Sequence, residues 1–273
     1  MSGGLHGGSA VCTVSLGRHA GGVELRVRAG GQGGPVVLLL HGLGATGEVW
    51  DGLTPLLPGA WVAPDLPGHG GSAPLPSYTF AAVADAVADL VDPAGTVILG
   101  HSFGGVVGLH LAARPGVLAV IGLGIKVAWT AEELARAAAI AAREPARFAS
   151  REEAVARHLR VSGLDGLVAP DSPAALSGVV EQDGAWRPAL DPRAFGVGDP
   201  EMAVLLAAAP VPVVLARGEH DGMVSAAQLR ELVPAPVELR GLGHNAHVED
   251  PAVVAELVLS HAGSARTTPP VDG

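Results

Sequence analysis

The eleven residues Val97-Ile98-Leu99-Gly100-His101-Ser102-Phe103-Gly104-Gly105-Val106-Val107 constrain this chain more than any other stretch. An apolar run of strand type ends at Gly100 and a Gly-x-Ser-x-Gly pentapeptide follows. A helical pattern then runs through Val106, Val107, Leu109, Leu111 and Ala112 to Arg114-Pro115. The reading is strand, one-residue turn, helix. A serine in such a turn is held in a strained backbone conformation with its hydroxyl raised above the sheet. Gly100 and Gly104 keep adjoining chain clear of it. The Phe103 N–H, at the positive end of the helix, points where an oxyanion would form. With 39 glycines in 273 residues the pentapeptide arises easily by chance, so its meaning depends on its surroundings.

Those surroundings are of one kind. Residues 35–40, 118–123 and 211–216 are continuous apolar runs, the signature of strands buried on both faces of a mostly parallel sheet. Residues 61–63 read as a further strand, and Val83, Val87, Leu90 and Val91 lie at helical spacing before the central strand. Residues 11–16 and 23–27 alternate like an edge hairpin. A short helix is expected around 49–57, a helix over 225–232, a strand at 237–239 and a closing helix over 252–261. Strands alternating with helices predict an α/β protein with a central, mostly parallel sheet flanked by helices. Residues 126–210 break the alternation. They read as three short helices, 131–143, 151–161 and 172–180, with no strand between them, and exceed an ordinary crossover in length. The expected organisation is a core of residues 1–125 and 211–262, an inserted helical cap of 126–210, and a mobile tail of 263–273.

Composition closes off several classes. A chain 48% apolar and only 16% charged is globular. A net charge of −10 without a Lys/Arg cluster argues against nucleic acid or an anionic membrane as partner. Cys12 is the only cysteine, which excludes an intrachain disulfide and a multi-cysteine metal site. Residues 1–10 lack the basic and apolar regions of a signal peptide, and the longest apolar run, 116–125, is too short to cross a bilayer. The expectation is a cytoplasmic protein, monomer or homodimer, that acts on a small molecule without a cofactor.

Three reactive groups sit in loops that follow strands: Ser102, Asp221 and His244. In open α/β sheets such loops share one edge, where ligands bind. Serine becomes a useful nucleophile when an imidazole takes its proton and a carboxylate holds that imidazole in the needed tautomer. The order Ser, Asp, His, with the motifs around it, resembles the α/β-hydrolase superfamily over roughly residues 23–262. His41-Gly42-Leu43-Gly44 resembles the family's oxyanion loop, which implies Leu43 N–H as a second donor beside Phe103. Asp65-Leu66-Pro67-Gly68-His69-Gly70-Gly71-Ser72 resembles a family loop of mainly structural role. Gly218-Glu219-His220-Asp221 resembles the acid loop, and Gly243-His244, with His247 and Glu249-Asp250-Pro251, resembles the histidine loop.

Each position has a competitor. Glu219 is the alternative acid and His247 the alternative base, the latter expected to be structural or pocket-lining. His101 is expected to support the elbow, His41 the oxyanion loop, and His69 a structural loop. A zinc site at His244, His247 and Glu249 is disfavoured by the missing His-Glu-x-x-His pattern. The glycine-rich loop 41–47 lacks a phosphate-binding Gly-Lys-Ser/Thr ending. Lys126, the one lysine, either meets an anionic substrate group or is an exposed loop residue. Trp129, Trp186 and Phe148 either line a substrate pocket or pack the cap. The expected reaction is acyl transfer on a small to medium ester or lactone. Carbon–carbon, thioester and amide hydrolysis use similar equipment, and a ligand sensor or a lyase could be built from the same residues.

Overall fold

Side chains alternate across a strand, so a run that is apolar at every position must be covered on both faces. The computed structural model, which describes residues 12–16 and 22–264, is built on that requirement. Its strands are β1 (Cys12–Leu16), β2 (Leu25–Gly30), β3 (Val36–Leu40), β4 (Trp61–Pro64), β5 (Thr96–His101), β6 (Val117–Leu123), β7 (Val179–Gln182), β8 (Ala185–Pro188), β9 (Val213–Gly218) and β10 (Val237–Leu239). Its α-helices are α1 (Phe80–Val87), α2 (Phe103–His110), α3 (Ala131–Ala141), α4 (Arg151–Ser162), α5 (Pro173–Leu176), α6 (Met202–Ala208), α7 (Ala226–Leu232), α8 (Ala246–Glu249) and α9 (Pro251–Ser264). The main sheet runs β1-β2-β4-β3-β5-β6-β9-β10. The β1–β2 and β2–β4 pairs are antiparallel and the remaining pairs parallel. The tail expected at 263–273 falls mostly outside the described residues, and Gly263 and Ser264 complete α9.

Two cores result. Leu38 and Leu40 of β3 and Ile98 of β5 pack with Phe80, Val83 and Val87 of α1 and Val106, Val107 and Leu109 of α2. On the opposite face Val37, Leu39, Val97 and Leu99 pack with Val254, Leu257 and Val258 of α9. Strand order reverses between β3 and β5, since β4 lies to one side of β3 and β6 lies beyond β5. Such a reversal opens a crevice at the carboxyl ends of the strands. In place of one helix around 49–57 there are two single 3₁₀ turns, Gly47–Trp50 and Thr54–Leu56, with Pro55 opening the second.

The segment between β6 and β9 departs from its purely helical reading. The helix expected over 172–180 is only the one-turn α5, after which the chain forms the β7–β8 hairpin. Asp183 and Gly184 have φ of 51° and 71°. Positive φ at both central residues is what a two-residue hairpin turn of matching twist demands, and Asp-Gly is its preferred sequence. α4 is bounded by a Ser150–Glu153 capping box and by Gly163 in the left-handed region. Its Ala154, Val155 and Leu159 belong to the same core as α9, so this helix is seated on the main body of the protein.

A buried carboxylate ties the loops near the crevice together. Asp65, 1% exposed, accepts hydrogen bonds from Gly47 N–H at 2.8 Å, Gly71 N–H at 2.9 Å and Arg26 Nη1 at 2.9 Å. Ser72 Oγ donates to the Asp65 carbonyl at 2.6 Å and accepts Arg26 N–H at 2.9 Å. Arg26 also pairs with Glu48. Removing one partner of a buried pair strands the others without compensation. Asp65→Ala is therefore expected to lower stability by about 3 kcal/mol, read as a drop in urea midpoint at unchanged slope. A loss under about 1 kcal/mol would mean that the loop is held by other contacts.

Candidate active site

β5 is buried at all its positions and delivers Ser102 with φ 49° and ψ −113°, after which α2 begins at Phe103. Left-handed backbone at a non-glycine residue is strained, and it persists only where the surroundings over-determine it. Here they do. Ser102 N–H donates to the Leu123 carbonyl of β6 at 2.8 Å, and Ser102 O accepts Gly105 N–H at 3.0 Å. A Cβ placed on Gly104 would stand 2.2 Å from the Leu40 carbonyl oxygen and 2.5 Å from that of His41, and one on Gly100 would stand 2.3 Å from the Gly104 oxygen. Only glycine lets α2 start this close to the end of β3. Among the described residues, neither Phe103 N–H nor Leu43 N–H donates to another protein group, so both are open donors beside the serine.

Asp221 is 5% exposed and follows β9. Both of its carboxylate oxygens lie 3.1 Å from His244 Nδ1, and Oδ1 also accepts Met223 N–H at 2.7 Å. Gly124, the residue after β6, abuts this pair: a Cβ there would lie 3.2 Å from both Asp221 Oδ2 and His244 Nδ1. Since Leu123 binds Ser102, the pair stands directly beside the elbow. Among the described residues the imidazole hydrogen-bonds only to Asp221, which fixes the Nδ1–H tautomer and leaves Nε2 without a protein partner. Ser102 Oγ and His244 Nε2 are not hydrogen-bonded in this conformation.

The competing residues go elsewhere. Glu219 is exposed and accepts Gly241 N–H at 2.8 Å, within the strap linking the acid and histidine loops. Glu249 accepts Gly243 N–H at 2.6 Å and so caps the histidine loop. His247 lies in α8, buried between Trp50 and His101 at ring distances of 4.5 and 4.4 Å. His41 donates from Nδ1 to the Gly42 carbonyl and accepts Leu66 N–H on Nε2, both at 2.8 Å, so it braces the turn that carries Leu43. His69 donates from Nδ1 to the Pro67 carbonyl at 3.1 Å. No cluster of three or more potential metal ligands occurs among the described residues.

Lys126 and Trp129 line a cavity of about 460 Å³ that includes Asp221, Met223 and Gln228 but neither Ser102 nor His244. Lys126 is ion-paired with Glu133 and stands 4.6 Å over the Trp129 ring. Trp186 is elsewhere, in β8, bridged through its backbone to Phe148 with the Arg151 guanidinium 5.4 Å above its ring.

A family model for the alpha/beta hydrolase family matches residues 37–257. The chain belongs to that family. Among curated proteins it resembles lipase LipV of Mycobacterium tuberculosis, with 42% identity over 105 residues, 36% of this chain and 40% of that one. It also resembles a pimeloyl-[acyl-carrier protein] methyl ester esterase of Neisseria meningitidis, with 48% identity over 80 residues, 29% of this chain and 31% of that one. The matches span less than half the length of either relative. Among solved structures, E-2-(acetamidomethylene)succinate hydrolase superposes with a TM-score of 0.74 at 24% identity, over 94% of this chain and 100% of that one, which is a likeness of fold.

Two supporting residues of this alpha/beta hydrolase escape sequence reasoning. Arg217, buried at the end of β9, donates to the carbonyls of Val224 and Glu219 at 2.9 Å and of Asp221 at 3.1 Å, and pairs with Glu238 at 2.6 Å. It holds the whole acid loop. Its signal was a charged residue closing an otherwise apolar strand. Asn245 donates from Nδ2 to the Gly163 carbonyl at 2.9 Å, tying the histidine loop to the end of α4. Nothing in the sequence foreshadows a partner 82 positions away.

Burial also separates the histidines by charge. Loss of solvent pushes His41 down to about 4 and His69 and His247 down to about 3. The unfolded chain takes up protons on these rings near pH 6.5 while the folded chain does not. Stability is thus full above about pH 7 and falls as pH drops from 6.5 toward 4. One pH unit below the unfolded value, each ring costs about 1.4 kcal/mol. Thermal unfolding followed from pH 8 to pH 5.5 should show a steadily falling midpoint, with at least about three protons taken up on unfolding at the acid end. A flat profile would mean that these rings are solvated.

Proposed function

We propose that this chain is a serine hydrolase acting by acyl transfer on a small to medium ester or lactone. The observation that carries the reading is the strained Ser102 elbow standing beside the Asp221–His244 pair. Ser102 Oγ attacks the carbonyl carbon as His244 Nε2 takes its proton, and Asp221 stabilises the resulting imidazolium through Nδ1–H. The open N–H groups of Leu43 and Phe103 bind the oxyanion, a contribution of about 3 kcal/mol per donor. Collapse expels the alkoxide, which takes the proton from His244. Water, deprotonated in turn by His244, then releases the acid from Ser102. The Ser102–His244 contact forms as substrate binds, since catalytic hydrogen bonds are often open in unliganded enzymes.

The cavity beside Asp221, which neither Ser102 nor His244 lines, is assigned to the part of the substrate beyond the reacting carbonyl. Its 460 Å³ suits a small ligand. Both cations in its lining are paired, Lys126 with Glu133 and Arg217 with Glu238, and the Asp221 carboxylate faces the same space, so the cavity favours an uncharged group over an anion. Residues 126–210 act as a cap over the site, with Lys126 and Trp129 as its substrate-facing residues, while Trp186 packs the hairpin. The names of the two curated relatives, a lipase and a methyl ester esterase, support hydrolysis of an ester bond. The reading requires no cofactor, nucleic acid or second subunit, and a cytoplasmic setting suits a chain with one cysteine. Among the described residues no helix is long and apolar enough to cross a membrane.

Intact-mass analysis after exposure to a fluorophosphonate tests whether the serine is activated without knowledge of the natural substrate. One adduct is expected on the wild type and none on Ser102→Ala, with His244→Ala labelled at least about 10³-fold more slowly. Asp221→Asn, which disturbs the tautomer, should cut hydrolysis of a short p-nitrophenyl ester by about 10⁴-fold. A folded wild type that takes no adduct, or an adduct that survives Ser102→Ala, would remove Ser102 from the role assigned to it.

A further inference from the structure

His101, the residue before the serine, is 3% exposed and is in contact with three loops at once. Its Nε2 lies 2.9 Å from the main-chain carbonyl of His244. A carbonyl only accepts, so the ring carries its proton on Nε2 and donates it there. The ring centroid is 4.7 Å from that of His244 and 4.4 Å from that of His247. Its other edge meets the oxyanion loop: a Cβ built on Gly42 would lie 2.7 Å from His101 Nδ1 and 3.5 Å from Ser102 Cβ. One imidazole therefore stands between the elbow, the turn that carries Leu43, and the loop that carries His244.

We infer that His101 is a positioning residue: through its Nε2–H it fixes the His244 main chain, and with it the base, relative to the Ser102 elbow. The inference rests on the proposed roles of Ser102 and His244 and goes beyond them. Asp221 controls the rotation of the His244 ring through Nδ1, but a ring correctly rotated on a displaced backbone still misses its nucleophile. The backbone needs its own anchor, and His101 supplies one from the residue bonded to the nucleophile itself. Any shift of the elbow is thereby passed to the base. His101 is not assigned the role of base, because its Nε2 is committed to the His244 carbonyl. Burial among His247 and His244 holds its ring well below the usual histidine range, so it stays neutral and keeps the single donor that the carbonyl requires.

The test separates the donor from the bulk. In His101→Gln the carboxamide N–H reaches a place close to that of Nε2, while His101→Met fills similar space without a donor. The rate of fluorophosphonate labelling and the kinetics of a short p-nitrophenyl ester are measured for both variants and the wild type, with thermal melts alongside. The expected result is His101→Gln within about threefold of the wild type, and His101→Met slowed by about tenfold or more in labelling and kcat with KM within about twofold. Wild-type labelling rates in His101→Met would overturn the inference, as would equal slowing of both variants, which would make His101 a packing residue. An unlabelled wild type would instead bring down the underlying reading of Ser102, and this inference with it. ¹⁵N spectra of histidine-labelled wild type give a check that needs no variant. His101 should be the Nε2–H tautomer from pH 6 to 9 with its proton slow to exchange, and an Nδ1–H tautomer would refute the donor role.

Discussion

The serine elbow is a strained point that the rest of the molecule keeps in place. A non-glycine residue at φ 49° costs on the order of 1–3 kcal/mol, and that strain is offset only if the neighbouring elements cannot relax. β3 and β6 flank β5, with the end of β3 pressed against Gly104 and the end of β6 accepting Ser102 N–H. α2 is locked to one face through Val106, Val107 and Leu109. The continuous apolar strands, the helices on both faces and the glycines of the turn are all terms in one condition, that the backbone at residue 102 has nowhere else to go.

Around that point the protein gathers histidines and then silences most of them. His41, His69, His101 and His247 are buried and held neutral by loss of solvent. His244 alone among them combines partial exposure with a carboxylate partner: its side chain is 24% exposed and that of Asp221 is fully buried. The proposed mechanism places proton transfer on that ring alone. The silent rings act as shaped, singly protonated donors, His41 bracing the turn of Leu43 and His101 joining elbow to histidine loop.

The parts of this arrangement that were legible in the sequence share a physical cause. Strands buried on both faces must be apolar throughout, so β3, β5, β6 and β9 announce themselves, and loops at the ends of parallel strands must share an edge, so Ser102, Asp221 and His244 could be brought together on paper. The segment 65–72 was readable as a loop because it is too rich in glycine and proline for regular structure, and its structural role was implied by the family resemblance. The anchoring carboxylate of Asp65 was not singled out. What stayed hidden depends on pairing across distance. Arg217 and Asn245 act through carbonyls, which every residue possesses, so no residue type marks their targets. The β7–β8 hairpin was missed although Asp183-Gly184 signals it, because residues 172–180 also carry a short helical pattern that tertiary pairing overrode. For Trp186 residue type left pocket lining and cap packing both open, and the hairpin places it against Phe148 and Arg151.

The contact between His101 and His244 joins residues 143 positions apart, and Asp221 also lies beyond the capping segment in the chain. Synthesis runs from the N-terminus, so β3, β5 and the elbow emerge long before β9, β10 and α9 exist. Until the last quarter of the chain has paired with β6, Ser102 stands without Asp221 and His244, its proposed acid and base, and one core lacks the helix that covers it. On the proposed roles, a chain that has not reached that point carries an unactivated serine. The long closure that makes such a topology slow to fold thereby also sets when the proposed nucleophile meets the pair that would activate it.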